Sequence, residues 1–259
     1  MRRGVTLPFA VRRGWQEALN WIFPNDEDIC RICTRPIHSR SGSVQAVKSS
    51  DSPAFLPQLS DALCPFCLQE LQLCASAGRS EHIQLRLPGG RTVPVASCIQ
   101  YDAFIRTLFR SFKYDGLMEL APFFGHLLVR RLHGDSLPHT DCIVPVPTTL
   151  ERTRKRGYDH VQLLAAHLSS QTRQPIRRAL VRLTDERGFT QSQSAKNAVE
   201  RRRGLERVYT LNRQVPIRGC RILLIDDIAT TGATLAACSE KLYLAGAQNV
   251  CALVVARVR

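Results

Sequence analysis

Residues 221–234 read Arg-Ile-Leu-Leu-Ile-Asp-Asp-Ile-Ala-Thr-Thr-Gly-Ala-Thr, and this run constrains the chain more than any other. Ile222 to Ile225 are apolar without alternation, the pattern of a strand buried on both faces, as in a parallel sheet. Asp226 and Asp227 stand at its carboxyl end. A small hydroxyl-rich turn follows, Thr230-Thr231-Gly232-Ala233-Thr234. The helical pattern after it places Leu235, Cys238 and Leu242 on one face, and Gly246 ends it. Together these parts make an anion site. N–H groups of the turn and of the helix N-terminus point at a phosphate, and Gly232 lets the backbone approach closely. The two acids repel a phosphate but are placed to accept hydrogen bonds from vicinal hydroxyls. A ligand with both features is a sugar phosphate. The alternative is a buried strand ending in a polar turn that binds nothing.

The rest of the chain sets bounds. Its 259 residues suffice for one large domain or two smaller ones, and 44% apolar content is ordinary for a globular protein. No apolar run approaches the length of a membrane span. The start, Met1-Arg2-Arg3, lacks the apolar core of a secretory leader, so a cytoplasmic location is expected. A formal charge of +14 favours polyanions, whether nucleic acid or a polyphosphorylated small molecule, although it also serves solubility. Ten cysteines in a reducing compartment argue for metal binding or buried thiols over disulfides.

Four of those cysteines are paired: Cys30-Arg-Ile-Cys33 and Cys64-Pro-Phe-Cys67. Each pair forms a tight knuckle presenting two thiolates, and two knuckles close a tetrahedral zinc sphere with no open position, so the metal's role is structural. Thirty residues lie between Cys33 and Cys64, more than a compact ribbon uses. Residues 38–60, rich in Ser, Gln and Pro, read as an extended insertion. His38 and Cys74 are rival ligands that lack the paired spacing, and reduced thiols or a redox pair remain the alternative for the cluster.

A short helix fits residues 12–23, ended by Pro24. A β-hairpin fits residues 81–99 around Pro88-Gly89-Gly90. Helical spacing runs from Tyr101 to Phe112, ended by Lys113-Tyr114-Asp115-Gly116, and again over 117–133. Lys113 is within reach of a ligand phosphate, although an exposed lysine at a helix end is commoner. A strand over 140–144 leaves into a basic loop, 150–158, carrying Arg152, Arg154, Lys155 and Arg156. A helix from Asp159 to Ser169 follows. In a parallel sheet the loop's tip lies at the ligand-binding edge, and arginine forks match pyrophosphate oxygens; a solvated basic loop is the alternative. Residues 173–213 are basic with few large apolar groups and read as a lid or polyanion contact. Val250 to Val255 is another buried strand.

Taken in order, the two Cys-x-x-Cys knuckles, Phe-Lys-Tyr-Asp-Gly at 112–116, Val-Pro-Val-Pro at 144–147, Arg-Lys-Arg-Gly-Tyr at 154–158 and the 221–234 run resemble the ComF family of competence-associated, type I phosphoribosyltransferase-like proteins. The chain departs from that family's pattern where Asp159 and His160 stand in place of Asn-Gln, and where Gly204 replaces an Asn. The resemblance implies an α/β fold, a type I phosphoribosyltransferase-like parallel sheet flanked by helices, with a small N-terminal zinc-binding module. The implied layout is an N-terminal helical arm (1–29), a double zinc knuckle (30–80, insertion about 38–60) and a phosphoribosyltransferase-like domain (81–259, basic lid about 182–213). It implies binding of phosphoribosyl pyrophosphate (PRPP) with Mg²⁺. Asp226 and Asp227 would hold the ribose, and Ala229, Thr230, Thr231, Gly232, Ala233 and Thr234 would hold the 5′-phosphate. Arg152, Arg154, Lys155 and Arg156 would support the leaving pyrophosphate, and Cys30, Cys33, Cys64 and Cys67 would hold structural Zn²⁺. Two functions follow: transfer of a phosphoribosyl group to an unidentified acceptor in connection with DNA uptake, or a partner in single-stranded DNA processing that keeps a non-catalytic PRPP pocket. The resemblance allows contacts with competence proteins and self-association.

Overall fold

A computed structural model describes residues 29–37, 59–76, 82–134, 137–183 and 208–258. The expected helical arm (all but Ile29), His38, residues 38–58 of the insertion and residues 184–207 of the basic segment lie outside the described residues. The chain divides into two compact units, Met1–Gln72 and Leu73–Arg259. No helix among the described residues is long and apolar enough to cross a membrane.

In the first unit the segment around Cys30 is a tight knuckle. Cys30 N–H donates to the Arg35 carbonyl at 2.7 Å, and Thr34 N–H returns to the Cys30 carbonyl at 2.8 Å, with Thr34 at φ 60° closing the turn. Arg31 N–H donates to the Ala62 carbonyl at 3.0 Å, tying this knuckle to the one at Cys64. Ile37, Leu59, Leu63 and Leu71 are buried around them. Helix α1 (Pro65–Ser76) begins at the second knuckle with Pro65 in its first turn, where a missing N–H is harmless.

The second unit is mixed α/β. Strands β1 (His82–Arg86) and β2 (Thr92–Gln100) form the expected hairpin, joined by a 3₁₀ turn at Pro88–Gly90. Helices α2 (Ala103–Tyr114) and α3 (Leu120–Gly134) follow, then β3 (Cys142–Pro145), α4 (Leu150–Arg156), α5 (His160–Thr172), β4 (Leu180–Arg182), β5 (Tyr209–Leu211), β6 (Arg221–Ala229), α6 (Ala233–Leu244) and β7 (Asn249–Arg257). The main sheet has the order β1-β2-β7-β6-β3. Strands β2, β7, β6 and β3 are mutually parallel, and β1 is an antiparallel edge. β6 is an inner strand, so Ile222 to Ile225 are fully buried, as their unbroken apolar run requires. Pro145 sits on the edge strand β3, where a missing donor is tolerated, and the next donor, Val146 N–H, resumes the ladder to the Ile225 carbonyl at 2.9 Å.

Three expectations are corrected. The basic segment after β3 is a two-turn helix, α4. Thr149 accepts from Arg152 N–H at 3.2 Å as its N-cap, and Gly157 at φ 83° is its C-cap, so the cap residues at both ends turn a sequence that reads as a loop into a helix. The strand of β6 does not stop at the acids; it runs through Asp226 and Asp227 to Ala229, because β7 pairs with it to that point. The 173–213 segment is also more ordered at its ends than its composition suggests. Ile176 bridges to Ile143, and β4 pairs antiparallel with β5, so the chain leaves and returns at one short ladder.

Candidate functional site

In a strand, successive side chains point to opposite faces. Ile222 and Leu224 pack in one core with Leu235, Cys238 and Leu242 of α6 and Tyr209 of β5. Asp226 has the same parity and therefore faces α6. Asp227 has the other parity and meets α2 and α5: Lys113 Nζ pairs with its Oδ2, and His160 Nε2 lies 2.8 Å from the same oxygen.

The environments push the two acids apart. Burial raises the Asp226 carboxyl well above the ordinary carboxylate range, and the neighbouring Asp227 charge raises it further. Burial also works against charge on Asp227, but the Lys113 ammonium and the His160 N–H outweigh it and hold this carboxyl well below the usual range. The two acids are thus pushed in opposite directions, Asp226 toward its neutral form and Asp227 toward its charged form. Asp227 N–H donates to Asp226 Oδ1 at 2.9 Å, and Ile228 N–H donates to Asp227 Oδ1 at 2.6 Å, so both side chains are pinned by the backbone beside them.

The turn after β6 is open at Thr230 and Thr231, which are exposed, and closed at Gly232, which is buried. Gly232 is the N-cap of α6 at φ 75°. A Cβ on it would lie 2.6 Å from Leu85 Cδ2 of β1. The bare face of this glycine is filled by Leu85. The first-turn N–H groups of α6 lack intrahelical acceptors by geometry, and Thr231 Oγ1 takes Ala233 N–H only loosely, at 3.4 Å. Thr230, Thr231 and these donors are what the turn offers an anion.

β3 and β6 are parallel neighbours in register from Cys142↔Ile222 to Pro145↔Ile225. The chain leaves both strands at the same sheet edge, into α4 and into the turn. On α4, Arg152, Arg154 and Lys155 are exposed. Arg156 is half-buried: its guanidinium lies 4.7 Å from the centre of the Tyr114 ring, and its Nη1 is 3.1 Å from His160 Nδ1. Only one of the four expected cations is therefore built into the packed structure. Lys113 and His160 carry the site's electrostatics and were not assigned to it from sequence. For Lys113 the signal was the Phe-Lys-Tyr-Asp-Gly stretch at a helix end; for His160, Asp159 as N-cap of α5 fixes the ring at the first helical residue.

In the first unit the sulfurs of Cys30, Cys33, Cys64 and Cys67 all lie within 4.8 Å of one another, and Cys33 and Cys64 are 3.5 Å apart. A tetrahedral thiolate site with bonds of about 2.3 Å spaces its sulfurs by about 3.8 Å. The four can hold a metal ion. Burial pushes the Cys30 thiol up, but N–H groups of Cys33, Cys64 and Ile32 aimed at its sulfur prevail and bring it to about 7. Cys74 is not in this group.

No family model matches the chain. It is 27% identical over 234 residues to the DNA utilization protein YhgH of Escherichia coli O157:H7, covering 86% of this chain and 93% of that protein. It is 32% identical over 124 residues to Competence protein F of Haemophilus influenzae, covering 47% of this chain and 51% of that protein. Among solved structures, adenine phosphoribosyltransferase from Saccharomyces cerevisiae matches 73% of this chain and 86% of its own at 16% identity and a TM-score of 0.36, too slight a likeness to carry an argument. The chain is a homologue of the DNA utilization protein and of Competence protein F, in keeping with the ComF resemblance of its sequence.

Proposed function

We propose that the second unit binds PRPP with Mg²⁺ at the carboxyl edge of β6 and transfers its phosphoribosyl group to an acceptor. One observation carries this reading. An acid-bearing inner strand of a parallel sheet runs directly into a helix N-terminus through a turn whose two threonines are exposed. Thr230, Thr231 and the N–H groups of Ala233 and Thr234 hold the 5′-phosphate, with Ala229 and Gly232 shaping the turn. Asp227 takes a ribose hydroxyl on its own face of the sheet. Asp226 acts from the other face, through its backbone-pinned carboxyl. Arg156, with Arg152, Arg154 and Lys155 around it, faces the pyrophosphate. The acceptor's lone pair forms the bond to C1′ as the C1′–O bond breaks. Pyrophosphate leaves with that electron pair, and the acceptor's proton passes to solvent. Mg²⁺ accompanying the ligand would supply charge neutralisation for the leaving group beside Arg156.

In the first unit, Cys30, Cys33, Cys64 and Cys67 hold Zn²⁺ in a structural role. A second reading, supported by the +14 charge and by the relatives' names, makes the chain a single-stranded DNA partner in competence with a non-catalytic pocket. Isothermal titration of the whole chain with PRPP and Mg²⁺ tests the first reading: heat is expected, and Thr231→Val weakens it. No heat from the native chain refutes it. Titration with single-stranded DNA across a salt series tests the second, which requires affinity that falls steeply with salt.

A further inference from the structure

We infer that His160 is a positioning residue: its ring links Arg156 of α4 to Asp227 of β6 and fixes the carboxylate that would meet a ligand hydroxyl. This rests on the PRPP reading. A guanidinium can only donate, so His160 Nδ1, 3.1 Å from Arg156 Nη1, must accept. The ring proton then sits on Nε2, which lies 2.8 Å from Asp227 Oδ2. Lys113 Nζ pairs with the same oxygen, and Ile228 N–H donates to Oδ1 at 2.6 Å.

The ring has little freedom to do anything else. His160 is buried, its ring stands T-shaped to that of Phe112 at 6.2 Å and 87°, and the Tyr158 hydroxyl donates to the Phe112 carbonyl. The charged and titratable groups facing it are Lys113 of α2, Arg156 of α4 and Asp227 of β6, with the Tyr158 hydroxyl nearby. The relay therefore joins the helix assigned to the pyrophosphate with the acid assigned to the sugar. Removing it frees Asp227 to turn and frees Arg156 from its fixed place. A ligand carrying both ribose and pyrophosphate should suffer more than pyrophosphate alone, because only the former uses both ends.

Glutamine can replace the ring in kind: its amide oxygen accepts from Arg156 and its NH₂ donates to Asp227. Phenylalanine keeps the bulk and loses both bonds. The experiment is calorimetric titration of the native chain, His160→Phe and His160→Gln with PRPP·Mg²⁺ and separately with pyrophosphate·Mg²⁺. His160→Phe is expected to weaken PRPP by about tenfold or more, the loss of a hydrogen bond to a charged group. It should shift pyrophosphate by less than about twofold, and His160→Gln should restore PRPP to within about threefold of native. Equal weakening of both ligands, no weakening, or failure of Gln to restore overturns the inference. Imidazole ¹⁵N spectra of the ligand-free chain provide a second arm that does not depend on PRPP. The Nε2–H tautomer with an accepting Nδ1, altered in Arg156→Met, is expected, and the Nδ1–H tautomer overturns the relay. If the native chain binds no PRPP, the PRPP reading falls, and this arm still decides whether the relay exists.

Discussion

Lys113→Met is the sharpest test of how Asp227 is held. Asp227's side chain is 8% exposed and Lys113's 17%, so the pair is largely out of water. Removing one member of such a pair strands the other, at about 3–5 kcal/mol. Lys113 retains some solvent, and both His160 and Ile228 N–H still contact the carboxylate, so the low end applies, about 3 kcal/mol. For a domain of this size each kcal/mol lowers Tm by about 2–4 °C, giving a fall of about 6–12 °C. The pH dependence has a definite sign. Asp227 has a folded pKa below its unfolded value of about 4, so its stabilisation is fully present above about pH 4. That stabilisation is lost as pH falls through the folded value. Urea denaturation of the native chain and Lys113→Met should therefore differ by a constant amount from pH 7 to pH 5, and the gap should narrow below about pH 4. In Asp227→Asn, Lys113→Met should be much less damaging. A Tm change under about 2 °C, or a gap that widens as the medium is acidified below pH 4, refutes the ion-pair account.

Asp226→Asn should behave in the opposite way. Its folded pKa is raised by burial and by Asp227, so its linked stability is greatest below about pH 4 and declines as pH rises toward the folded value. Asparagine keeps the acceptor for Asp227 N–H and cannot ionise, so this variant should melt above the native chain at pH 7, with the advantage vanishing near pH 4. Gly232→Ala should destabilise by about 1–2 kcal/mol from its left-handed backbone alone, with an added penalty from the Leu85 overlap. In a Leu85→Ala background the overlap part should disappear, which a denaturation cycle measures. If the four cysteines hold one zinc ion as proposed, chelation should release Cys30, Cys33, Cys64 and Cys67 together, read as four additional thiols in a reagent titration. Release in single steps would count against one shared ion.

Much of this was legible in the chain because the signals were local. An unbroken apolar run gave β6, alternation and a Pro-Gly-Gly turn gave the β1–β2 hairpin, and two Cys-x-x-Cys pairs gave the four-sulfur group. What was not legible needed either the cap chemistry of short elements or contacts across the fold. Thr149 and Gly157 cap a two-turn helix out of a run that looks like a basic loop. Lys113 and Asp227 are 114 positions apart in sequence and meet only where the end of α2 reaches β6. The packing of Gly232 was hidden for the same reason: nothing near it in sequence announces that Leu85 fills its open side. The facing of the two acids, by contrast, was available from strand parity alone, once the strand is extended through them.

That facing answers an objection to a phosphate site beside two carboxylates. Were both acids ionised on one face, the turn would sit beside a double negative charge, and an incoming phosphate would be repelled at short range. Strand parity turns them to opposite faces of the sheet, and burial together with the neighbouring charge pushes Asp226 toward its neutral form. Asp227 keeps its charge because Lys113 neutralises it, and Arg156 adds a further positive charge through His160. Lys113 and Arg156 thus bring two positive charges against the acids at the edge where the turn presents its N–H groups. An acid pair in this position is therefore compatible with anion binding only while Lys113 stays in place. Lys113→Met should accordingly weaken binding of inorganic phosphate or pyrophosphate as well as stability. A chain that lost stability yet bound pyrophosphate as tightly as before would show that the anion is held somewhere other than beside β6.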